Sequence, residues 1–147
     1  MNLQEKLLND MKSALKSGDK ETLGTIRMLR SQLQNASIKK GKELSDEDVI
    51  GVLSKEAKKR KESVEMYKKG EREDLVEKEA HELEIISSYL PEALSREELE
   101  SIVEKAIEEA RAESLREMGK VMGFIMPQVK GRADGKEVQE IVKNKLS

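Results

Sequence analysis

Lys120, Lys130, Arg132 and Lys136 fall within one stretch, MGKVMGFIMPQVKGRADGK (residues 118–136), in which Asp134 is the only acid. Basic residues beside glycines at a helix start are ingredients for gripping phosphate, because free backbone N–H groups and the helix dipole both favour an anion. Asp134 works against this, since as an N-cap it would use the same donors. Two readings stay open on the residues alone: a phosphate-binding corner, or a joint between two helices with cations on its surface.

Other residue types narrow the chemistry. His81 is the sole histidine and the chain has no cysteine, which removes multi-histidine metal sites, thiolate ligands, disulfides and cysteine nucleophiles. Its neighbours Glu77, Glu79, Glu82 and Glu84 include no serine or cysteine to activate, so a solvated histidine at a helix edge is the reading. Lys120 and Lys136 each follow a glycine, but neither completes the G-x-x-x-x-G-K-[ST] pattern of a nucleotide-binding loop. The 28 basic and 30 acidic residues are interleaved along helical faces, the pattern of salt-bridged surfaces and not of two isolated carboxylates with separated pKa values. The basic run KEAKKRK, residues 55–61, points around a full helix circumference and reads as a solvated face. No catalytic residue, metal or cofactor is expected. With a net charge of only -2, any polyanion must be held by a local patch.

Some charges lie on or beside apolar stripes. Arg30 follows Ile26 by four, Arg60 stands between Ala57 and Val64, and Glu79 and Glu82 stand between Leu75 and Ile86. They are candidates for ion pairs between helices, which help fix which helix faces which; a polar binding groove is the rival reading. Gly119 and Gly123 form a G-x-x-x-G pair in a segment too short to span a bilayer, so close approach of another helix is expected, with Met118, Met122 and Met126 filling gaps.

Helices must position all of these. The apolar period is 3.6 nearly throughout, and strand alternation is nowhere sustained. The first helix carries Leu3, Leu7, Met11 and Ala14 and ends at Ser17-Gly18; the second starts at Asp19 and ends at Lys39-Lys40-Gly41. Ser45 opens the third, which runs to Lys68-Lys69-Gly70, and Pro91 stops the fourth. Ser95 with Glu98, Ser114 with Glu117, and Asp134 with Glu137 fit the capping box and predict three shorter helices over roughly 96–111, 115–126 and 135–146. The fold class is therefore all-α: a four-helix N-terminal part over residues 1–90, then a three-helix C-terminal bundle over residues 91–147. Met1 to Lys20 has no signal-peptide-like apolar run, and no stretch approaches the ~20 apolar residues of a membrane helix. A soluble, cytoplasmic protein is expected, with neither membrane nor DNA as partner.

The motifs YLPEALSREELE (residues 89–100) and EMGKVMGFIMPQVKGRADGKEV (residues 117–138) resemble the GatB/YqeY family. TIRMLRSQLQNASI and LLNDMKSALKSGDKETL upstream fit in order, so the likeness covers essentially the whole chain, at the length of the freestanding YqeY type. The resemblance implies a C-terminal tail domain like that of the B subunit of tRNA-dependent amidotransferase, which contacts tRNA while other parts of that complex perform the chemistry. A related domain is appended to some glutaminyl-tRNA synthetases. The implied function is a tRNA-binding accessory protein without catalysis of its own, with Lys120, Lys130, Arg132 and Lys136 as candidate contacts. An aminoacyl-tRNA synthetase or an amidotransferase is the implied protein partner. Tyr67, Tyr89 and Phe124 are the only aromatics, and Tyr89 and Phe124 read as core, so recognition by shape and phosphates is expected over base stacking. The alternative is a helical protein–protein adaptor. Membership of a carbon–nitrogen ligase system with glutamine as amido-N-donor is the third reading, for which no nucleotide site or activated nucleophile is found.

Overall fold

The structure, a computed structural model, describes residues 2–147. Its described residues form seven α-helices and one 3-10 turn, with no strand. They divide into two compact units that meet in sequence at Leu90 and Pro91. No helix among them is long and apolar enough to cross a membrane.

The first unit holds α1 (Leu3–Ser17), α2 (Lys20–Lys40), α3 (Asp46–Lys69) and α4 (Glu73–Ser87). Each boundary has a local cause. Asn2, Asp19 and Ser45 accept a backbone N–H three residues on, and Gly18 and Gly41 take left-handed φ values of 74° and 80° where the helices end. At Ser45 the cap is reciprocal, because the Asp48 carboxylate accepts the Ser45 N–H at 3.0 Å. Leu7, Ile26, Leu29, Leu33, Val49, Leu53, Ala57 and Ile86 are buried together, with every one of the four helices contributing. Burying a side chain of this kind is worth about 1.5–3 kcal/mol.

Helix α4 ends before the proline expected to stop it. Ser88 Oγ donates to the Ile85 carbonyl at 2.6 Å, and Tyr89 and Leu90 N–H groups bond three residues back, so the chain tightens into turns after Ser87. Pro91 acts at one remove by keeping Leu90 out of the helical region. The turns carry Tyr89 into the core, where it is 7% exposed.

The second unit contains α5 (Arg96–Ala110), a 3-10 turn at Leu115–Glu117, α6 (Met118–Val129) and α7 (Gly135–Leu146). Its core is Leu99, Val103, Ala106 and Ala110 against Val121, Ile125 and Val129 and against Val138, Ile141 and Val142. Of the three expected capping boxes, Ser114 with Glu117 forms in both directions, while the other two keep only the cap residue's half. Ser95 Oγ accepts the Glu98 N–H at 3.1 Å but donates to the same residue's carboxylate. Glu117 accepts from the Glu113 and Ser114 N–H groups and closes the 3-10 turn that leads into α6. Asp134 caps α7 through the Lys136 N–H, while Glu137 turns to Arg96 at 3.6 Å.

Helix α6 also runs further than its pattern suggested. Pro127 lies inside it, and the helix continues to Val129. A proline removes the bond to the carbonyl four residues back and crowds it. Here that residue is Gly123, and Pro127 stands in the last turn of the helix. In the same turn Gln128 Nε2 donates to the Phe124 carbonyl at 2.9 Å.

Candidate functional site

The four candidate cations do not form one corner. Lys120 stands in the first turn of α6, whereas Lys130, Arg132 and Lys136 lie in and just beyond the joint between α6 and α7. At 1.5 Å rise per residue, the ten residues from Lys120 to Lys130 place them about 15 Å apart along the helix axis. The arrangement is a strip. Residues 118–133 contain no carboxylate, and Lys120, Lys130 and Lys136 are exposed without an ion-pair partner among the described residues.

Arg132 belongs to a different category. Its Nε donates to the Glu92 carbonyl at 3.1 Å, and its own carbonyl accepts the Leu94 N–H at 2.9 Å. The guanidinium thus fastens the segment before α5 onto the joint. Gly131 makes that geometry possible at φ 76°, a left-handed value that glycine adopts without strain. Asp134 occupies the Lys136 N–H at 3.0 Å, so part of the anion-attracting end of α7 is already used by the protein's own carboxylate.

The glycine pair is a correction. A Cβ built at Gly119 or Gly123 meets nothing within 4 Å, and both residues are exposed. Among the described residues of the second unit no helix uses the gap they leave: the apolar stripe of α6 that faces α5 and α7 is Val121, Ile125 and Val129, and the glycines face away from it. Phe124, expected in the core, is 41% exposed; Leu115 and Met126 are exposed as well. The open side of α6 therefore combines bare backbone, one accessible aromatic ring and unpaired lysines. Arg116, exposed beside the start of α6, adds a cation that the sequence reading passed over.

The first unit contains the densest charge cluster. Arg60 on α3 reaches Glu82 at 2.8 Å and Glu79 at 3.4 Å, both on α4, and Glu56 one turn back at 3.5 Å. Glu56 is 5% exposed and was not anticipated, although its i−4 spacing from Arg60 carried the signal. Arg30 is not part of any such pair among the described residues. It is exposed, and its Nη1 lies 3.3 Å from the Met11 sulfur. His81 does find a partner, Glu21 on α2 at 3.2 Å.

Comparison with known proteins adds names to this geometry. The chain is 33% identical over 144 residues to a protein of Pyrenophora tritici-repentis named "Altered inheritance of mitochondria protein 41, mitochondrial", covering 93% of this chain and 79% of that protein. A protein of the same name from Kluyveromyces lactis is 40% identical over 101 residues, covering 66% of this chain and 54% of that one. These names correct the expectation of a cytoplasmic protein, because they point to mitochondria instead. Composition and helix pattern do not separate those two compartments, so the sequence carried no physical signal for the choice. A family model described as Yqey-like protein matches residues 4–146, and the chain belongs to that family.

Proposed function

We propose that this protein is an RNA-binding accessory module that holds tRNA by shape and phosphates, without catalysis of its own. One observation carries the reading: α6 and its joint expose Lys120, Lys130 and Lys136 with no carboxylate over residues 118–133, beside two glycines open to solvent. Cations spaced along about 15 Å suit successive phosphates of one strand, and bare helix backbone lets a sugar–phosphate chain lie close. Phe124 supplies one ring for a ribose or base face, a modest addition to an otherwise electrostatic contact. The family resemblance to the amidotransferase tail supports the choice of tRNA over other polyanions.

Fluorescence anisotropy of bulk tRNA tests this at low and moderate salt. The Lys120→Ala, Lys130→Ala, Lys136→Ala variant keeps Arg132, whose loss would disturb the joint itself. Binding is expected to weaken with salt, and the variant's logarithmic salt slope to fall by about one for each phosphate contact removed. Equal behaviour of the two proteins, or no binding at low salt, overturns the reading. The adaptor reading rests on exposed Leu115, Phe124 and Met126. It is favoured if a protein partner binds this face with little salt dependence and Phe124→Ala abolishes the contact.

A further inference from the structure

The first unit contains a cavity of about 570 Å³ between the N-terminal half of α2, the middle of α3 and α4. Such a volume is within the ~300–1,000 Å³ usual for small-molecule sites. Gly24 keeps one wall open, since a Cβ there meets nothing within 4 Å, and Met28 contributes an apolar patch. Thr25 lines the cavity at 5% exposure, yet its hydroxyl has no hydrogen-bond partner among the described residues. The hydroxyl is not enclosed as Glu79 Oε2 is, so it stands ready to bond whatever occupies the cavity.

The charge inventory selects the ligand. Arg60 and Glu82 line the same cavity, and Glu56 and Glu79 stand on Arg60 from outside the lining; Lys20, Lys78 and His81 also line it but are exposed, against the acids Glu21, Asp74 and Glu77. Three carboxylates therefore share one guanidinium, and only Lys59, itself largely exposed, reaches Glu56 from outside. The cluster is short of proton donors as well as of positive charge. The single Nε proton of Arg60 goes to Glu82 at 2.8 Å, which leaves Glu79 Oε2, though 3.4 Å away, buried without a donor. An anion would meet a guanidinium that is already engaged and, besides it, only the exposed Lys20, Lys78 and His81. No three carboxylate or imidazole groups among the described residues converge as metal ligands.

We propose that this cavity binds an aliphatic ammonium, its nitrogen between Glu82 and Thr25 and its carbon stem along Met28. The group can belong to a free amine or to the lysine side chain of a partner, and both present the same donors to Glu82. The site lies wholly in the first unit and does not depend on the RNA-facing role of α6.

The test titrates the isotope-labelled full chain with putrescine in one arm and an acetyl-lysine-amide peptide with a free side-chain amine in the other, following backbone amide shifts. Saturable shifts centred on Gly24, Thr25 and Glu82 are expected with at least one probe, and the tighter probe identifies the source. Glu82→Gln is expected to weaken binding by about tenfold or more, as for loss of a charged hydrogen bond. Gly24→Leu fills the cavity from a helical position with room for it and with better helix propensity, so it should fold and not bind. Absence of saturable shifts with both probes overturns the proposal, as do unchanged binding in Gly24→Leu and preferential binding of acetate at the same residues.

Discussion

Tyr89 Oη donates a 2.6 Å hydrogen bond to Asp10 Oδ2, joining the turns after α4 to α1 across 79 positions of sequence. Lys6 Nζ stands 5.2 Å from the centre of the same ring, so α1 holds Tyr89 from its face as well as from its hydroxyl. Burial, and then the Asp10 carboxylate, push the phenol well above its ordinary range. Tyr89→Phe is expected to cost about 1 kcal/mol in urea unfolding, since Asp10 is only half-buried and water replaces the lost donor. The pH dependence has a definite sign. Unfolded tyrosine ionises near pH ~10 while the folded one stays neutral, so stability is full below that value and falls as pH rises through the elevated folded pKa. Tyr89→Phe should remove that alkaline slope.

The Arg60 cluster predicts opposite signs for two neighbouring substitutions. Arg60→Met leaves Glu56, Glu79 and Glu82 without their shared cation at 7%, 18% and 23% side-chain exposure, and should lower stability by about 2–3 kcal/mol. Glu79→Gln removes one excess charge and adds a donor where Oε2 has none, and should raise stability by about 0.5–1 kcal/mol. Chemical denaturation of both variants checks the pair. A stabilised Arg60→Met would mean that the charges are solvated in place and that the cluster orders nothing.

Helix caps were legible because their causes are local: Asp19, Ser45 and Gly41 act within a few residues of themselves. The ion pairs show where that legibility stops. Arg30 and Arg60 each sit beside an apolar stripe, yet of the two only Arg60 faces carboxylates, since α4 packs along α3 at that level while exposed Arg30 meets the Met11 sulfur of α1. A one-dimensional pattern gives a residue's angle on its own helix and says nothing of what the next helix brings to it. Gly119, Gly123 and Phe124 show the same limit, because small or apolar side chains signal contact without saying whether the partner lies in the same chain.

Acid should weaken the α2–α3 connection. The Lys40 ammonium, and after it the Ser45 N–H, hold Asp48 well below the ordinary carboxylate range, at about 2. A carboxylate depressed in the folded state contributes stability that is present above its unfolded pKa of ~3.9 and is lost as pH falls through the folded value. Between about pH 4 and 2 the wild-type chain should therefore lose stability more steeply than Asp48→Asn, whose side chain does not titrate. Thermal unfolding across that window measures the difference, and parallel profiles would show that water already screens the pair.

Substitution at the glycine pair separates packing from recognition. If Gly119 and Gly123 served helix packing, alanine at either would clash and destabilise. Both Cβ positions are open, so each glycine-to-alanine change should instead stabilise α6 by about 0.4–1 kcal/mol, through helix propensity and the smaller entropy of the unfolded chain. Bare backbone matters only to something that approaches from outside. Gly119→Leu and Gly123→Leu should therefore keep the raised stability while weakening tRNA binding severalfold, with the salt slope unchanged because every lysine remains. Stability and binding that rise or fall together would return the pair to a structural role. Opposite movement would assign the open side of α6 to a partner, and the unchanged slope would separate loss of fit from loss of charge.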